Sequence, residues 1–261
     1  MLPKQERTLI SAIAPPNTAH INSIFGITFK DLRKMSLMSA YMESVPYDYF
    51  IKSMGKTNLL DNNAAQLPFF DSKYSNALIC RTLLLNCVTK NYSELWKNVF
   101  ETNFINDLWA KKDNRLKPEV FSKLSNEWTH DTPLRSDYER RMALVEIDVL
   151  TAMALGLTCD ELKLMYSIQF PVLNAYERDT WYDSEGRIIF TNNRSLTGVG
   201  LPRKEFEEIK NMTTGSYSQI IKDDTLGEYV ERTIEYSAPF TKCDREKDYE
   251  EIWLEFTRRF N

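Results

Sequence analysis

The stretch that decides the fold is residues 138–157, YERRMALVEIDVLTAMALGL. Apolar residues recur in it at helical spacing, and Ser136 followed by Glu139 is the pattern of a capping box at its start. Gly156 stands where the C-terminal break of a helix is expected. The sequence therefore predicts a long and largely apolar helix in this part of the chain.

Two acidic residues, Glu146 and Asp148, interrupt this helix. A carboxylate among apolar side chains is costly unless it is paired. Because Arg140 and Arg141 lie in the same helix and Arg135 just before it, the pattern favours an internal ion-pair network that holds helices together. A catalytic acid pair is the alternative interpretation.

Outward from this helix, the rest of the chain also favours helices. No glycine occurs between Gly55 and Gly156, which is typical of helical structure because turns with positive φ usually need glycine. Apolar spacing and capping residues predict helices over 31–45, 47–54, 76–90, 92–106, 118–128, 159–168, 201–210 and 244–260. Alternation predicts a strand over Ile21–Phe29 and a hairpin over Trp181–Thr191. The expected fold class is α+β and predominantly helical, with a helical core and a β-hairpin and loop region around 181–200.

Composition excludes several classes of protein. The chain has 261 residues, of which 43% are hydrophobic and 12% aromatic, too many for a disordered protein. No apolar run reaches the roughly 18 residues of a membrane span, and the N-terminus is a poor signal peptide. The four cysteines form no CxxC pair, and two histidines are too few for a histidine-based metal site. These features predict a cytoplasmic protein with reduced cysteines and no membrane partner.

Charge is divided unevenly along the chain. The net charge of −4 argues against a general nucleic-acid binder. Residues 1–117, however, hold 15 basic and 10 acidic residues, whereas residues 118–261 hold 18 and 27. The first part is therefore +5 and the second −9, which predicts a mildly basic working face on the N-terminal part.

Two polar segments have the residue types of a DNA contact. Lysines and small hydrogen-bond donors on a loop are typical of phosphate contacts, and Asn and Arg are the side chains that read adenine and guanine edges. The first segment consists of Lys52, Ser53, Lys56, Thr57 and Asn58, with Arg33 and Lys34 upstream. The second consists of Asn192, Asn193 and Arg194, followed by Ser195. A solvated surface loop is the alternative for each.

The first third of the chain resembles a known family. Residues 38–69 look like the end of the target-recognition region in large bacterial restriction–modification and phage-defence DNA methyltransferases. The resemblance is carried by Val45–Phe50, Ser53–Asn58 and Gln66-Leu67-Pro68. Upstream, Arg7–Ile10, Ala14-Pro15-Pro16 and His20 are similar to the way that this region begins.

Two later segments, Tyr166–Arg203 and Ala238–Trp253, resemble the extreme C-terminal region of some of these large proteins. The resemblance thus implies two parts. Residues 1–70 are the end of a target-recognition-like region, and residues 71–261 are a mainly helical C-terminal domain with its hairpin at 181–191.

The motifs that would make this chain a methyltransferase are missing from it. The family binds S-adenosylmethionine through a glycine-rich loop and transfers the methyl group with an Asn/Asp-Pro-Pro-Tyr/Phe motif, whereas Ala14-Pro15-Pro16-Asn17 has the wrong order. The resemblance therefore implies a DNA-recognition and accessory module without catalytic residues, which is not expected to act as an enzyme alone. Its partners would be double-stranded DNA and a methyltransferase catalytic domain or subunit, and S-adenosylmethionine would bind only in that catalytic part.

Two other functions remain open. One is a non-catalytic scaffold or interaction protein of a phage-defence complex. The other is a nuclease that uses Asp160, Glu161 and Lys163, whose E-x-K spacing occurs at metal-dependent nuclease centres. Because Thr158 and Glu161 also form a capping-box pattern, a helix start is the alternative reading of these charges.

Overall fold

A computed structural model describes residues 6–21, 24–55, 59, 61–224 and 227–261. The helices are α1 (Leu32–Glu43), α2 (Val45–Ser53), α3 (Asp61–Ala64), α4 (Ser75–Asn86), α5 (Ser93–Val99), α6 (Asp137–Ala154), α7 (Cys159–Gln169), α8 (Pro171–Arg178), α9 (Arg203–Ile209) and α10 (Arg245–Phe260). The strands are β1 (Trp181–Tyr182), β2 (Ile188–Phe190), β3 (Ser216–Asp223), β4 (Val230–Ser237) and β5 (Thr241–Lys242). With 46% helix and 9% strand, the predicted α+β, mostly helical class is confirmed.

Helix α6, the helix predicted over 138–157, lies at the centre of the main core. It packs against α1, α2, α4, α7 and α10, and 13 of its 18 residues are buried. Ser136 accepts the N–H of Glu139 at 3.2 Å and starts the helix. The reciprocal half of the predicted capping box is replaced, because the Glu139 carboxylate instead accepts the backbone N–H of Lys117 at 3.2 Å.

The predicted ion-pair network is present, but its partners differ from those expected. Glu146 pairs with Arg81 of α4, and Asp148 pairs with Arg245 of α10 at 2.9 Å. Asp148 also accepts the Val45 N–H at 2.7 Å and the Tyr249 hydroxyl at 2.6 Å. The two acids therefore tie α2, α4 and α10 to the central helix, and their arginines come from distant parts of the chain.

The basic residues expected to pair with these acids have other partners. Arg141 binds Glu177 at 2.9 Å and Asp248 at 2.7 Å. Arg140 donates to the carbonyl oxygens of Leu85 and Leu134. Glu146 and Asp148 lie five to eight positions further along α6, beyond the three- or four-residue spacing at which side chains of one helix meet.

Several predicted elements are wrong. Residues 118–128 form turns rather than a helix, since the indoles of Trp109 and Trp96 donate to the carbonyls of Lys117 and Ser125, groups that a helix would use internally. The helix predicted over 92–106 ends at Val99, because Phe100 has an extended ψ of 131°.

Two further differences concern proline and an apolar segment. Pro171 starts α8, a helix that the sequence did not predict, because the missing N–H of proline is tolerated in the first turn of a helix. Residues 24–29 form no strand: they have no strand partner within the described residues, and Ile24 is 56% exposed. The loop predicted over 55–58 lies largely outside the described residues.

The N-terminal segment is pinned to the core although it has no regular structure. Asp48 of α2 accepts the backbone N–H groups of Thr8 and Leu9 and the guanidinium of Arg7. Asn86 of α4 accepts the N–H of Ile13 at 2.9 Å. Buried residues on both sides of position 70 therefore share one apolar core.

A second, smaller apolar cluster lies beside the two sheets. Strands β2, β1 and β5 form an antiparallel sheet in that order, and β3 and β4 form a separate antiparallel ribbon that the sequence did not predict. Phe190 of β2 stacks on Phe206 of α9 at 4.8 Å, with Tyr236 of β4 in the same cluster. Among the helices that the structure describes, none is long and apolar enough to cross a membrane.

Candidate nucleic-acid interface

The loop over residues 191–203 contains the second predicted DNA-contact segment. Asn193 accepts the N–H of Ser195 at 2.9 Å and so starts a 3₁₀ turn over Arg194–Leu196. Further on, Leu201 donates to the carbonyl oxygen of Ile189 at 2.7 Å. Gly200 has φ +74° and fits tightly against the same strand. The loop therefore returns to β2 and is held there by close backbone contact.

This loop, the end of β2 and Gln219 of β3 line an open groove of about 450 Å³. The polar side chains that line it include two amides from the loop, Asn192 and Asn193, and a third from the ribbon, Gln219. Arg203 at the start of α9 adds a guanidinium group, which lies 4.8 Å from the centre of the Phe190 ring. The groove thus combines amide and guanidinium groups on an apolar floor.

Two acidic residues orient the polar groups of the groove. Asp179 accepts from the Asn192 amide and from Arg203 at 2.9 Å. Glu6 accepts from the Asn193 amide at 3.2 Å, and burial raises the pKa of the Glu6 carboxyl despite the opposing effects of Asn193 and Arg7. Asn193 therefore uses both ends of its amide to shape the loop.

Arg194 differs from its neighbours in the loop. It is exposed, and within the described residues its side chain has neither an ion-pair nor a hydrogen-bond partner. Its guanidinium is therefore available to an anionic ligand beside the groove.

The predicted residues of α1 and α2 lie in different surroundings. Arg33 donates to Glu101 at 2.9 Å and Asn76 at 2.7 Å and pairs with Asp71 at 3.3 Å, so its charge is already compensated inside the protein. Lys34 is exposed. Few cationic groups on these helices therefore remain available to bind a phosphate.

Further along α2, the Lys52 ammonium group lies 4.6 Å from the centre of the Phe170 ring. Ser53 is exposed and donates to the Tyr49 carbonyl oxygen at 2.7 Å. Lys56, Thr57 and Asn58 lie outside the described residues. Of the first predicted segment, Lys52 and Ser53 are therefore the only members that the structure places.

Residues 6 and 7 connect the two predicted segments. Glu6 contacts Asn193 of the groove loop, whereas Arg7 contacts Asp48 of α2. Lys52 lies one helical turn after Asp48. The groove loop and α2 are therefore neighbours on either side of the N-terminal segment.

The three residues of the nuclease alternative have structural partners. Thr158 and Glu161 form the predicted capping box at the start of α7, with bonds in both directions. Lys163 pairs with Glu250 of α10. The structure shows no group of three or more His, Cys, Asp or Glu side chains able to hold a metal ion among the residues that it describes. The helix-start reading of these charges is confirmed.

Sequence reasoning missed Asp179, Arg203 and Gln219. The helix predicted over 201–210 is present as α9, so the position of Arg203 on a helix was predictable. Gln219 lines the groove from β3, a distant part of the chain, and no short-range pattern indicates that contact. Comparison of the chain with protein families, with curated proteins and with solved structures finds no match.

Gly198 and Gly200 of the loop allow a matched test of its close contact with β2. A Cβ on Gly200 would lie 2.6 Å from the Ile189 carbonyl oxygen, whereas a Cβ on Gly198 meets nothing within 4 Å, and both residues have positive φ. We expect Gly200→Ala to lower the free energy of unfolding by about 2 kcal/mol and Gly198→Ala by about 1 kcal/mol. Urea denaturation measures both, and equal losses would contradict the close contact at Gly200.

Proposed function

We propose that this chain is a DNA-recognition and accessory module of a restriction–modification or phage-defence DNA adenine methyltransferase. The observation that carries the proposal is the groove between the 191–203 loop and β3, where three amides and a guanidinium group converge. The likeness of residues 38–69 to a target-recognition region supports the same function.

The groove has the chemistry that base reading requires. Asn and Gln can bind the N6 and N7 edge of adenine with two hydrogen bonds, and Arg can bind the O6 and N7 edge of guanine. Asn192 and Arg203 share the Asp179 carboxylate, so they are held side by side before any ligand arrives. Gln219 of β3 also lines the groove, and its amide oxygen accepts the Tyr236 hydroxyl at 3.2 Å.

Phosphate contacts would come from cations around the groove. Arg194 stands exposed at its margin, and Lys34 and Lys52 lie on α1 and α2. Contacts of this kind set the position of a protein on the duplex, whereas base contacts set the sequence that it reads. Since the groove loop and α2 flank the same N-terminal segment, one duplex would contact both.

Methyl transfer requires a second component in this proposal. A methyltransferase must rotate the target base out of the duplex into a pocket beside the methyl donor. That pocket, and the S-adenosylmethionine that binds in it, would belong to a partner catalytic domain or subunit in the cytoplasm. The present chain would recognise the site and brace the assembly.

DNA binding is testable by fluorescence anisotropy with short duplexes over a salt series. We expect affinity to fall as salt rises, and Arg194→Ala to weaken binding several-fold and reduce the slope of log K against log salt by about 1. Lys97→Ala, which removes an exposed cation from α5, is the matched control and should behave like wild type.

Two results would contradict this function. Absence of binding at low salt would leave the scaffold alternative in its place. Equal losses for Arg194→Ala and Lys97→Ala would mean that binding is a general effect of positive charge and does not use the groove loop.

A further inference from the structure

The β3–β4 ribbon projects from the second apolar cluster. Its register runs from Ser216 opposite Ser237 to Asp223 opposite Val230. Among the described residues of the ribbon, Tyr217, Ile234 and Tyr236, in the half nearest Ser216 and Ser237, pack in the apolar cluster. Towards the tip, Ile220 is 66% exposed and Tyr229 is 79% exposed. A two-stranded ribbon gains little stability without further contacts, so this exposed part is suited to binding another molecule.

The outer edge of β4 is partly covered by the protein itself. Ser184 donates to the Ser237 carbonyl oxygen at 2.9 Å, Asp183 accepts the Ser237 N–H at 3.2 Å, and Arg187 donates to the Glu235 carbonyl oxygen. The backbone groups of Glu235 and Ser237 thus point away from β3.

The outer edge of β3 is open. In an antiparallel pair, residues opposite one another both point their backbone groups either inward or outward, and this alternates along the strand. Since Glu235 and Ser237 point outward, so do their partners Ser218 and Ser216, followed by Ile220 and Lys222. No described strand pairs with this edge. It therefore offers a row of backbone N–H and C=O groups to another strand.

The ribbon is strongly acidic. Residues 215–237 contain two basic and five acidic residues, a net charge of −3. Arg232 pairs with Asp223 at 2.6 Å, and Lys222 stands opposite Glu231. Both basic residues thus have an acidic neighbour, and the remaining acids give the ribbon its negative field.

We propose that the outer edge of β3 is a docking site for an extended segment of a protein partner that carries lysine or arginine and adds to the ribbon as a third strand. Backbone hydrogen bonds would supply the pairing. The negative charge selects a basic segment, and it opposes a second copy of the ribbon.

Side chains along the edge allow a basic segment to reach the acids. Ser218 is small and lies opposite Glu235. Strands are about 4.8 Å apart, so an incoming backbone would lie about 10 Å from β4. A lysine or arginine placed beside Ser218 would extend over the serine to the Glu235 carboxylate. Ile220, the next outward residue, would give an apolar contact to its neighbour.

The proposal is tested with the full chain and two short synthetic peptides. One alternates lysine with threonine and valine, and the other carries glutamate in place of lysine. In nitrogen-15 NMR spectra, the lysine peptide should shift the amide signals of Ser218 and Ile220 more than those of Gln219 and Ile221, which point inward. We expect saturation in the micromolar to millimolar range and no binding of the glutamate peptide.

Two variants separate edge pairing from simple charge attraction. Ser218→Pro removes an outward N–H, a position at which strands tolerate proline, and should weaken binding about tenfold or more. Ser218→Ala keeps the N–H and should leave binding within about twofold of wild type. Glu235→Gln preserves the edge and tests the charge alone, with an expected loss of about threefold.

Several outcomes would overturn the proposal. These are equal binding of both peptides, no shifts at millimolar lysine peptide, or wild-type affinity in Ser218→Pro with the other ribbon amides unchanged. If sedimentation shows that wild type dimerises and that Ser218→Pro does not, the edge is occupied by a second copy of the chain and not by a basic partner.

Discussion

Arg81→Ala is expected to lower the free energy of unfolding by about 3–5 kcal/mol, because it leaves a buried carboxylate without its cation. Arg81 is completely buried. It pairs with Glu146 and Asp107 and donates to the carbonyl oxygens of Ala77 and Leu108 at 3.0 and 3.2 Å. Although burial opposes its charge, the two carboxylates raise the pKa of Arg81 above its ordinary value, so the cation persists at every accessible pH.

The loss of stability in Arg81→Ala should come from the uncompensated charge of Glu146 rather than from the smaller side-chain volume. Glu146 is also completely buried, and it keeps only the Ala110 N–H as a donor when the arginine is gone. Arg81→Met together with Glu146→Gln should therefore recover much of the stability, because residue 146 is then uncharged and Asp107 keeps Arg259 as its cation at 2.9 Å. Arg258→Ala, which breaks an exposed pair with Glu255, is the control and should remain close to wild type.

Urea denaturation of Arg81→Ala measures the loss, and that of Arg81→Met, Glu146→Gln and the double variant measures the coupling of the pair. If Arg81→Ala cost less than about 1 kcal/mol, or if the two changes were simply additive, the pair would not stabilise the core in the way described.

Glu43→Gln is expected to change the pH dependence of stability by about 3 kcal/mol. Glu43 of α1 is buried and accepts hydrogen bonds from Thr82 at 2.8 Å and from Asn86 at 2.7 Å, and none of the described cations forms a salt bridge with it. Burial raises the pKa of this carboxyl from 4.5 to about 7, in spite of the hydrogen bonds that favour its charged form.

The raised pKa fixes the sign of the effect. Below about pH 4.5 the carboxyl is neutral in both the folded and the unfolded protein, and it costs the fold nothing. As the pH rises towards 7, the unfolded protein loses this proton first, so the wild type loses stability. A glutamine side chain cannot ionise, and the Glu43→Gln variant should therefore gain stability relative to wild type over this interval.

Thermal or urea unfolding at several pH values gives the difference between the two proteins. The comparison removes the opposing contribution of groups such as Asp113, whose pKa is lowered to about 2 by the Arg115 guanidinium against the effect of burial. Glu94→Gln on the exposed face of α5 serves as the control. A difference that stays constant from about pH 5 to 8 would contradict a buried, neutral Glu43.

Helices with strong local signals were predictable from the sequence. Thr158 and Glu161 start α7, and Asp244, whose side chain accepts the Lys247 N–H, starts α10. Such signals act over three or four residues, so no tertiary contact is needed to find them. The turns over 118–128 were not predictable, because the indoles that hold them come from Trp96 and Trp109.

The candidate site was likewise predictable only in part. Asn192, Asn193 and Arg194 were chosen from residue type alone, and the structure places the first two in a groove with Arg203 and Gln219. Arg33 was chosen for the same reason, yet it pairs with Glu101 and Asp71. Residue type shows what a side chain can bind, but not whether another part of the chain already binds it.

Local periodicity and capping alone were enough for the mostly helical class, the long central helix and the hairpin at β1 and β2. The presence of Glu146 and Asp148 in that helix also required buried cations. Which cations pair with these two carboxylates depended on the folded chain, since Arg81 and Arg245 lie 65 and 97 residues away along the sequence. A buried carboxylate pairs with the cation that lies close to it in space, and the packing of the helices decides which cation that is.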